Sequence, residues 1–121
     1  KKMNLNCCLQ SLQTAVKKFQ SDYERLISLF KVKTLCLTIY NPAFEHFDDL
    51  GQMSKYQVSC EISINIFNDI IQRLVKKKGF DLLELRELMI GKNDYANSIE
   101  PSHAGGKKIA LAVSKWVNNN N

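Results

Sequence analysis

The sequence has no apolar run that approaches the roughly 20 residues required to cross a membrane. Its first ten residues, KKMNLNCCLQ, also lack the sustained apolar segment of a signal peptide. Of its 121 residues, 45% are hydrophobic and 24% are charged, as is typical of a globular protein. We therefore expect one soluble domain, without a membrane span, in the cytoplasm.

The spacing of a metal site is absent as well, because the four cysteines form no CxxC pair and no Cys/His cluster. Cys7 and Cys8 are adjacent, and the pattern predicts reduced thiols rather than a disulfide framework. His46 with Asp48 and Asp49 suggests metal ligation, but a flexible acidic loop explains these residues better. We predict no bound metal and no cofactor.

The net charge of +5 is not accompanied by a nucleic-acid-binding motif. The basic residues are scattered in small groups, such as Lys76–Lys78, near predicted helix ends, where cations interact favourably with the helix macrodipole. The sequence also has neither a Gly-x-Gly-x-x-Gly nor a Walker pattern for a phosphate. We predict no nucleic-acid partner.

Three segments have the three-and-four spacing of apolar residues that is typical of amphipathic helices. We predict helices over Leu9–Phe30, Val58–Lys78 and Gly105–Trp116. Lys76–Lys78 followed by Gly79 is a signal for the end of the second helix. Residues 1–117 form the predicted domain, and residues 118–121 form a polar asparagine tail that we expect to be frayed.

Two short runs rich in β-forming residues, Leu35–Tyr40 and Phe80–Leu85, separate these helices. Their nearly unbroken apolar character predicts strands that are covered on both faces, as in parallel sheets. Pro42 ends the first strand, and Ala43–Gln57 is predicted to be a loop with a short helical turn. The alternation of helices and strands predicts parallel strands joined by right-handed crossovers. Since two strands cannot shield themselves, the sequence is typical of the back portion of a doubly wound domain.

The densest group of chemically capable residues lies in Asp94–Ala110, between the second strand and the last helix. In parallel sheets, ligands bind beyond the carboxyl ends of the strands. Asn41 follows the first strand and the loop Asp94–His103 follows the second, so we expect both to line one pocket at the same edge. We expect the Gly105-Gly106 pair to permit a tight entry into the last helix.

Four segments resemble the C-terminal part of the SGNH (GDSL-type) hydrolases: Asn68–Ile71, Gly79–Arg86, Asp94–Ser102 and Gly105–Ala110. The strand end Thr38–Pro42 and the helix Phe19–Leu29 also fit the order of elements in that family. The resemblance is closest to a bacterial-type branch with an Ile-Glu-Pro-Ser ending before its Gly-Gly helix. It implies a three-layer α/β/α flavodoxin-like domain with a parallel sheet, of which this chain is the C-terminal part. It also implies hydrolysis of ester or related acyl bonds in a small-molecule substrate.

The family's Gly-Asp-Ser motif, with its nucleophilic serine, and its glycine and asparagine motifs for the oxyanion hole are absent. The resemblance therefore implies that the chain begins just after the asparagine motif and is inactive alone. The family's last motif, Asp-x-x-His-Pro, aligns with Asn97-Ser98-Ile99-Glu100-Pro101. Either Glu100 takes the position of the base, or His103 folds back to it, or this branch does not use the usual dyad. Asp94 is an orienting carboxylate or a loop-forming residue, and Asn41 and Asn97 are predicted to bind substrate.

His103 is the ordinary choice of base because the reference pKa of histidine is about 6.5. Glu100 is a weak base unless burial raises its pKa. Both also have structural interpretations, His103 as a solvent-facing loop residue and Glu100 as a carboxylate that favours the start of the last helix. The alternative functions are a non-catalytic α/β interaction or ligand-binding module and a basic adaptor for an acidic partner. We expect the isolated chain to expose apolar strand surface and to self-associate, because two strands leave open sheet edges.

Overall fold

The computed structural model describes residues 4–47 and 54–120, and α-helices together with two 3₁₀ turns account for 69% of them. The helices are α1 (Leu5–Ser28), α2 (Phe44–Phe47), α3 (Ser54–Lys78) and α4 (His103–Asn120), and the strands are β1 (Leu35–Leu37) and β2 (Asp81–Leu83). Two 3₁₀ turns, Leu85–Glu87 and Lys92–Asp94, lie between β2 and α4. Within the described ranges, no helix is both long and apolar enough to cross a membrane.

The ends of the long helices follow local signals in the sequence. At the start of α1, the Asn4 side chain accepts a hydrogen bond from the backbone N–H of Asn6 at 3.1 Å. At the end of α3, Gly79 adopts the left-handed conformation with φ of 68°, which favours glycine. Helix α4 includes residues 118–120 of the predicted tail, whereas Asn121 lies outside the described residues.

The two strands pair in parallel, with Leu35 opposite Asp81 and Leu37 opposite Leu83. One further hydrogen bond extends the ladder, from the backbone N–H of Thr38 to the carbonyl oxygen of Leu83 at 3.0 Å. No third strand joins this sheet in the described part of the chain. The carboxyl ends of both strands therefore lie at one edge, which we call the carboxyl edge.

The predicted three-layer α/β/α flavodoxin-like fold is wrong, because the described chain is a small, mostly helical protein with one two-stranded sheet. The physical reason is that only three residues of each six-residue apolar run join the ladder. The runs are not covered on both faces either, since Ile39 is 39% exposed and Leu82 is 37% exposed. An unbroken apolar run thus indicated the strands correctly but not a buried sheet.

The run Leu35–Tyr40 leaves the ladder at Ile39, where a side chain from α3 bonds to the backbone groups. The backbone N–H of Ile39 donates to Asn68 Oδ1 at 2.7 Å, and Asn68 Nδ2 donates to the Ile39 carbonyl oxygen at 2.7 Å. Because the N–H of Thr38 bonds to β2, the alternation of a parallel ladder turns the polar groups of Ile39 away from β2. Asn68, which is fully buried, thus satisfies the groups that a further strand would bond at this residue.

The core has two parts. Helices α1 and α3 pack on each other and on β1 through Ile27, Cys36, Ile70, Ile71, Leu74 and Val75, with Phe19, Tyr23 and Phe80 packed against them. A second cluster joins the carboxyl edge to α4 and consists of Ala43, Met89 and Tyr95, with Tyr40, Phe47 and Ile109 beside it. This second cluster fixes the loops on which the candidate site is built.

Candidate functional site at the carboxyl edge

The segments that follow the two strands meet at the carboxyl edge. Tyr95 Oη donates a hydrogen bond to the carbonyl oxygen of Asn41 at 2.6 Å. The backbone N–H of Ala43 donates to the carbonyl oxygen of Ser98 at 2.8 Å. These two bonds join the segment around Asn41 to the loop Asp94–His103, so both lie at the same edge of the sheet.

The loop also reaches past the end of β1. Tyr40 Oη donates to the carbonyl oxygen of Ile99 at 2.9 Å. Ile99 is exposed and lines an apolar groove of about 230 Å³ together with Ile39, Pro42 and Ile64. The tip of the loop therefore lies beside Ile39, the residue whose backbone groups point away from β2.

Asp94 is buried and occupied by structural contacts. Its Oδ1 lies 2.7 Å from Lys108 Nζ of α4, and its Oδ2 accepts from the backbone N–H groups of Gly91 and Ile90 at 3.1 and 3.2 Å. The hydrogen bond from Lys108 is the main cause of the lowered pKa of Asp94. Within the described residues, no hydrogen bond joins this carboxylate to His103. The carboxylate instead ties the loop to α4 through Lys108.

The backbone of Asp94 is held equally closely. Its carbonyl oxygen accepts from the N–H of Ser102 at 2.8 Å, and a Cβ atom placed on Gly105 would lie only 2.1 Å from the same oxygen. Ser102 Oγ in turn accepts from the N–H of Gly105 at 3.2 Å, as a side chain at a helix start commonly does. The first turn of α4 thus rests directly on the loop through Gly105, whereas a Cβ atom on Gly106 would meet nothing within 4 Å.

Asn97 shapes the tip of the loop. Its Oδ1 accepts from the backbone N–H groups of Ile99 and Glu100, both at 2.9 Å, and its Nδ2 donates to Glu100 Oε2 at 2.7 Å. Glu100 is exposed. The pKa of Tyr40 is raised mainly by the burial of Tyr40 itself and also by the negative charge of Glu100. Asn97 therefore orients Glu100 at the carboxyl edge.

His103 is the first residue of α4 and is exposed. Asp94, Glu100 and His103 lie on one loop, but no hydrogen bonds connect their side chains in the described structure. His46 Nε2 lies 3.9 Å from Glu45 Oε1. Asp48 and Asp49 lie outside the described residues, and the residues that are described contain no group of three or more His, Cys, Asp or Glu side chains suited to a metal.

A cavity of about 200 Å³, which we call the edge cavity, is lined by Asn41 and by Tyr95 of the loop. Its polar lining consists of Asn41, Glu45, His46, Gln57, Glu61 and Arg86. Gln57 is buried and uses both ends of its amide: Oε1 accepts from the N–H of Phe44 at 2.8 Å, and Nε2 donates to the Pro42 carbonyl and to Glu61 Oε1, each at 2.7 Å. Gln57 thereby fixes the wall of the cavity.

The positive charge of Arg86 is compensated by a neighbouring carboxylate. Its Nε and Nη2 donate to the two oxygens of Glu84 at 2.7 and 2.6 Å, and its Nη1 donates to Asn65 Oδ1 at 2.6 Å. The hydrogen bond from Arg86, helped by one from Thr38, lowers the pKa of Glu84 to about 2. Arg86 is therefore fixed, with each of its three nitrogen atoms bonded.

A polar stripe along α3 was not among the residues predicted from the sequence. Gln57, Glu61, Asn65, Asn68 and Gln72 are spaced by four, four, three and four residues, which places them on one face of the helix. Each bonds toward the carboxyl edge or to the next member of the stripe, as Gln72 Nε2 does to Glu84 at 3.5 Å. The same periodicity that indicated the apolar face could have revealed this polar face.

Tyr95 also lines the edge cavity; its single hydroxyl proton is donated to the carbonyl oxygen of Asn41 at 2.6 Å, and the carbonyl oxygen of Met89 lies 3.1 Å from the same Oη. Burial is the main cause that raises the pKa of Tyr95 to about 12, so the phenol keeps its proton at neutral pH. Beside it, Asn41 Oδ1 is buried and has no hydrogen-bond partner among the described residues. Such an unpaired buried acceptor is uncommon and costs free energy.

Comparisons with protein-family models, curated proteins and solved structures give no significant match to this chain. The contacts at the carboxyl edge are therefore the basis on which a function can be assigned.

Proposed function

We propose that this chain contributes the C-terminal part of an ester-hydrolysing site of the SGNH type. The observation that supports this most strongly is the position of the loop that resembles the family's last motif. Its tip, Asn97–Glu100, lies next to Asn41 beyond the carboxyl ends of two parallel strands. Ligands of parallel sheets bind at this edge; Glu100 is exposed on the loop, and His103 is exposed at the start of α4.

The proposed reaction is acyl transfer through a serine supplied from outside these 121 residues, since the chain has no Gly-Asp-Ser motif. Either Glu100 or His103 accepts the proton of the serine hydroxyl as its oxygen attacks the ester carbonyl carbon, and returns the proton to the leaving alcohol, which leaves an acyl-serine. Water then attacks the acyl carbon with the help of the same base, the carboxylic acid leaves, and the serine oxygen takes the proton back. Asp94 positions the loop through Lys108, and Asn97 orients Glu100. Asn41 belongs to the substrate-binding rim in this proposal.

The test uses a polypeptide that extends upstream of Lys1, treated with a fluorophosphonate probe and assayed with p-nitrophenyl acetate. We expect the probe to label one serine and the ester to be hydrolysed. Replacing the base, by Glu100→Gln or His103→Ala, should lower kcat at least about 100-fold. The exposed Glu87→Gln is the matched control and should retain full turnover. Absence of labelling, or full turnover in both base variants, would contradict the proposal.

A non-catalytic ligand-binding module is the second candidate. It is favoured by the edge cavity, which has a built polar wall at the carboxyl edge and contains no candidate nucleophile among its polar lining residues. In that case the extended polypeptide would bind a ligand there without labelling by the fluorophosphonate probe. The same experiment therefore separates the two functions.

We further propose that the protein works in the cytoplasm. All four cysteines lie in the described part of the chain and are free, and Cys36 is buried in the core. Free thiols are typical of a reducing compartment. Mass spectrometry of alkylated protein isolated from its native cells should find four modified cysteines after mild denaturation without reductant, and a disulfide between any two would contradict the location.

A further inference from the structure

We infer that the edge of the sheet opposite the candidate site binds the surface of an anionic lipid bilayer. We call it the amino edge, because β1 and β2 both begin there, directly after the ends of α1 and α3. Exposed apolar side chains, neighbouring lysines and uncompensated positive charge lie together at this edge. Binding there does not depend on ester hydrolysis, because it uses no residue of the carboxyl edge.

Four apolar side chains are exposed where α1 ends and the chain leads into β1. Leu29 and Val32 are each 71% exposed, Leu26 is 50% exposed and Phe30 is 45% exposed. The backbone N–H of Leu29 donates to the carbonyl oxygen of Leu26 at 3.1 Å, so the last helical turn continues and brings Leu26, Leu29 and Phe30 next to each other. We call these four residues the apolar cluster. A contiguous group of exposed apolar residues is typical of an interaction surface.

The end of α3 brings Lys76–Lys78 to the same edge. Lys77 Nζ lies 3.1 Å from Glu24 Oε1 of α1. Lys77 and Lys78 also line a groove of about 220 Å³ together with Ile27 and Ser28, which lie between Leu26 and Leu29 in the sequence. The lysines of α3 are therefore neighbours of the apolar cluster.

Two further lysines lie within the connecting segment itself. Lys31 and Lys33 flank Val32, and Lys31 Nζ donates to the carbonyl oxygen of Ser28 at 3.0 Å. Lys33 Nζ lies 3.7 Å from Asp81 Oδ2 at the start of β2. The apolar cluster thus has lysines from α3 on one side and from its own segment on the other.

Positive charge exceeds negative charge at the amino edge. Its basic residues, all of them exposed, are Arg25, Lys31, Lys33, Lys76, Lys77 and Lys78. Carboxylates at 3.1 to 3.8 Å compensate Arg25, Lys33 and Lys77. Within the described part of the chain, Lys31, Lys76 and Lys78 form no ion pair. This excess attracts an anionic surface and repels a second copy of the same edge.

Cationic and apolar side chains in one exposed group match the interface of an anionic bilayer. The apolar cluster can enter the boundary between headgroups and acyl chains, while the lysines reach the lipid phosphates and keep their aliphatic stems beside it. Each lysine near such a surface strengthens binding about fivefold. Because Leu29 and Val32 project into solvent, an acidic protein would need pockets to receive them, whereas a bilayer needs no complementary shape.

The experiment is cosedimentation of the 121-residue chain with lipid vesicles. The vesicles consist of phosphatidylcholine alone, or of phosphatidylcholine and phosphatidylserine at about two to one. We expect binding to the anionic vesicles and none to the neutral ones. Raised salt should weaken the binding severalfold without abolishing it, because salt screens the lysines but not the inserted apolar side chains.

Two double variants separate the charges from the apolar cluster. Lys76→Gln with Lys78→Gln should weaken binding at least about tenfold, because two uncompensated charges are lost. Leu29→Ser with Val32→Ser should also weaken it at least about tenfold and should remove the binding that persists at raised salt.

The matched controls change the same residue types elsewhere. Lys55→Gln with Lys107→Gln gives the same change of net charge near the carboxyl edge, at the starts of α3 and α4. Leu111→Ser replaces a leucine of α4 that is as exposed as those of the apolar cluster. Both controls should bind the anionic vesicles as the wild type does.

Equal binding to neutral and anionic vesicles would overturn the inference, as would equal losses in the test and control variants. Binding of soluble polyglutamate as tight as that of the anionic vesicles would assign the amino edge to an acidic partner instead. A dimer that Leu29→Ser with Val32→Ser dissociates, without vesicle binding by the wild type, would assign it to a second copy. If circular dichroism shows that this variant has lost its helices, the variant with Lys76→Gln and Lys78→Gln decides by the same criteria.

Discussion

Gly105 crosses the backbone of Asp94 so closely that a Cβ atom at position 105 would lie 2.1 Å from the Asp94 carbonyl oxygen. This contact is between two backbones, so a side-chain rotation cannot relieve it. It fixes the start of α4 on the loop that resembles the hydrolase motif. The geometry of the candidate site therefore depends on a residue that has no side chain.

The Gly105→Ala variant should consequently be destabilised by about 1–3 kcal/mol, the usual cost of overpacking. Gly106→Ala is a matched control in the same helical turn, because a Cβ there meets nothing within 4 Å. The control should be neutral or stabilised by up to about 1 kcal/mol, since alanine favours a helix over glycine. Urea unfolding followed by circular dichroism measures both, and equal stability of the two variants would contradict the close crossing.

Acid should destabilise the protein through Glu84. Its pKa falls from an ordinary 4.5 to about 2 on folding, so its ionised form stabilises the fold at pH values above 4.5. That stabilisation should be lost progressively as the pH falls from 4.5 toward 2, and the lowered pKa of Asp94 acts in the same direction.

Urea unfolding at several pH values, for the wild type and Glu84→Gln, measures this effect. Between pH 4.5 and 2, the free energy of unfolding of the wild type should fall more steeply with decreasing pH than that of Glu84→Gln. The two slopes should differ by at most about 1.4 kcal/mol per pH unit for one proton. Parallel curves for the two proteins would show that Glu84 titrates normally in the folded state.

Removing the Asn68 side chain should lower the free energy of unfolding, because it leaves the backbone N–H and carbonyl of Ile39 without a partner. In Asn68→Ala both the N–H and the carbonyl of Ile39 lose their partner, and we expect a loss of about 2–3 kcal/mol. Asn65→Ala, one turn earlier and exposed, should cost less than about 1 kcal/mol. Hydrogen exchange gives a local readout, because the Ile39 amide should lose protection only in Asn68→Ala. Unchanged protection there would exclude the proposed pairing.

The chain should self-associate through its sheet, because each strand has only one neighbour in the described structure. Sedimentation velocity should give a mass that rises with concentration above 13.9 kDa. Leu82→Lys, which places a charge on β2, should shift the protein toward monomer. Leu111→Lys removes an exposed leucine from α4 and should not. A monomer at every concentration would contradict the expectation, and equal effects of the two variants would assign the contact to apolar surface in general.

The helices could be predicted from the sequence because their apolar periodicity is long. The predicted starts at Leu9, Val58 and Gly105 lie two to four residues after the observed ones. In α3 the first turn, Ser54–Gln57, is mostly polar and does not continue the apolar spacing. This hid Gln57 in a presumed loop and with it the polar stripe that builds the edge cavity.

The sheet and the site could be predicted only in part. The positions of the strands and their parallel direction follow from the alternation of elements, but the ends of the strands depend on Asn68 and Glu84, which lie far from β1 in the sequence. The role of Asp94 likewise depends on Lys108, which a local motif does not reveal. Periodicity can place Asn68 on a polar face of α3, but it does not give the partner of a tertiary hydrogen bond.

The central claim is that these 121 residues form an incomplete ester-hydrolase site, and initial rates with p-nitrophenyl acetate test it most directly. The account predicts no turnover above background for the 121-residue chain and serine-dependent turnover for a polypeptide extended upstream of Lys1. Turnover by the 121-residue chain that a serine-directed inhibitor abolishes would contradict the claim, as would an extended polypeptide without activity.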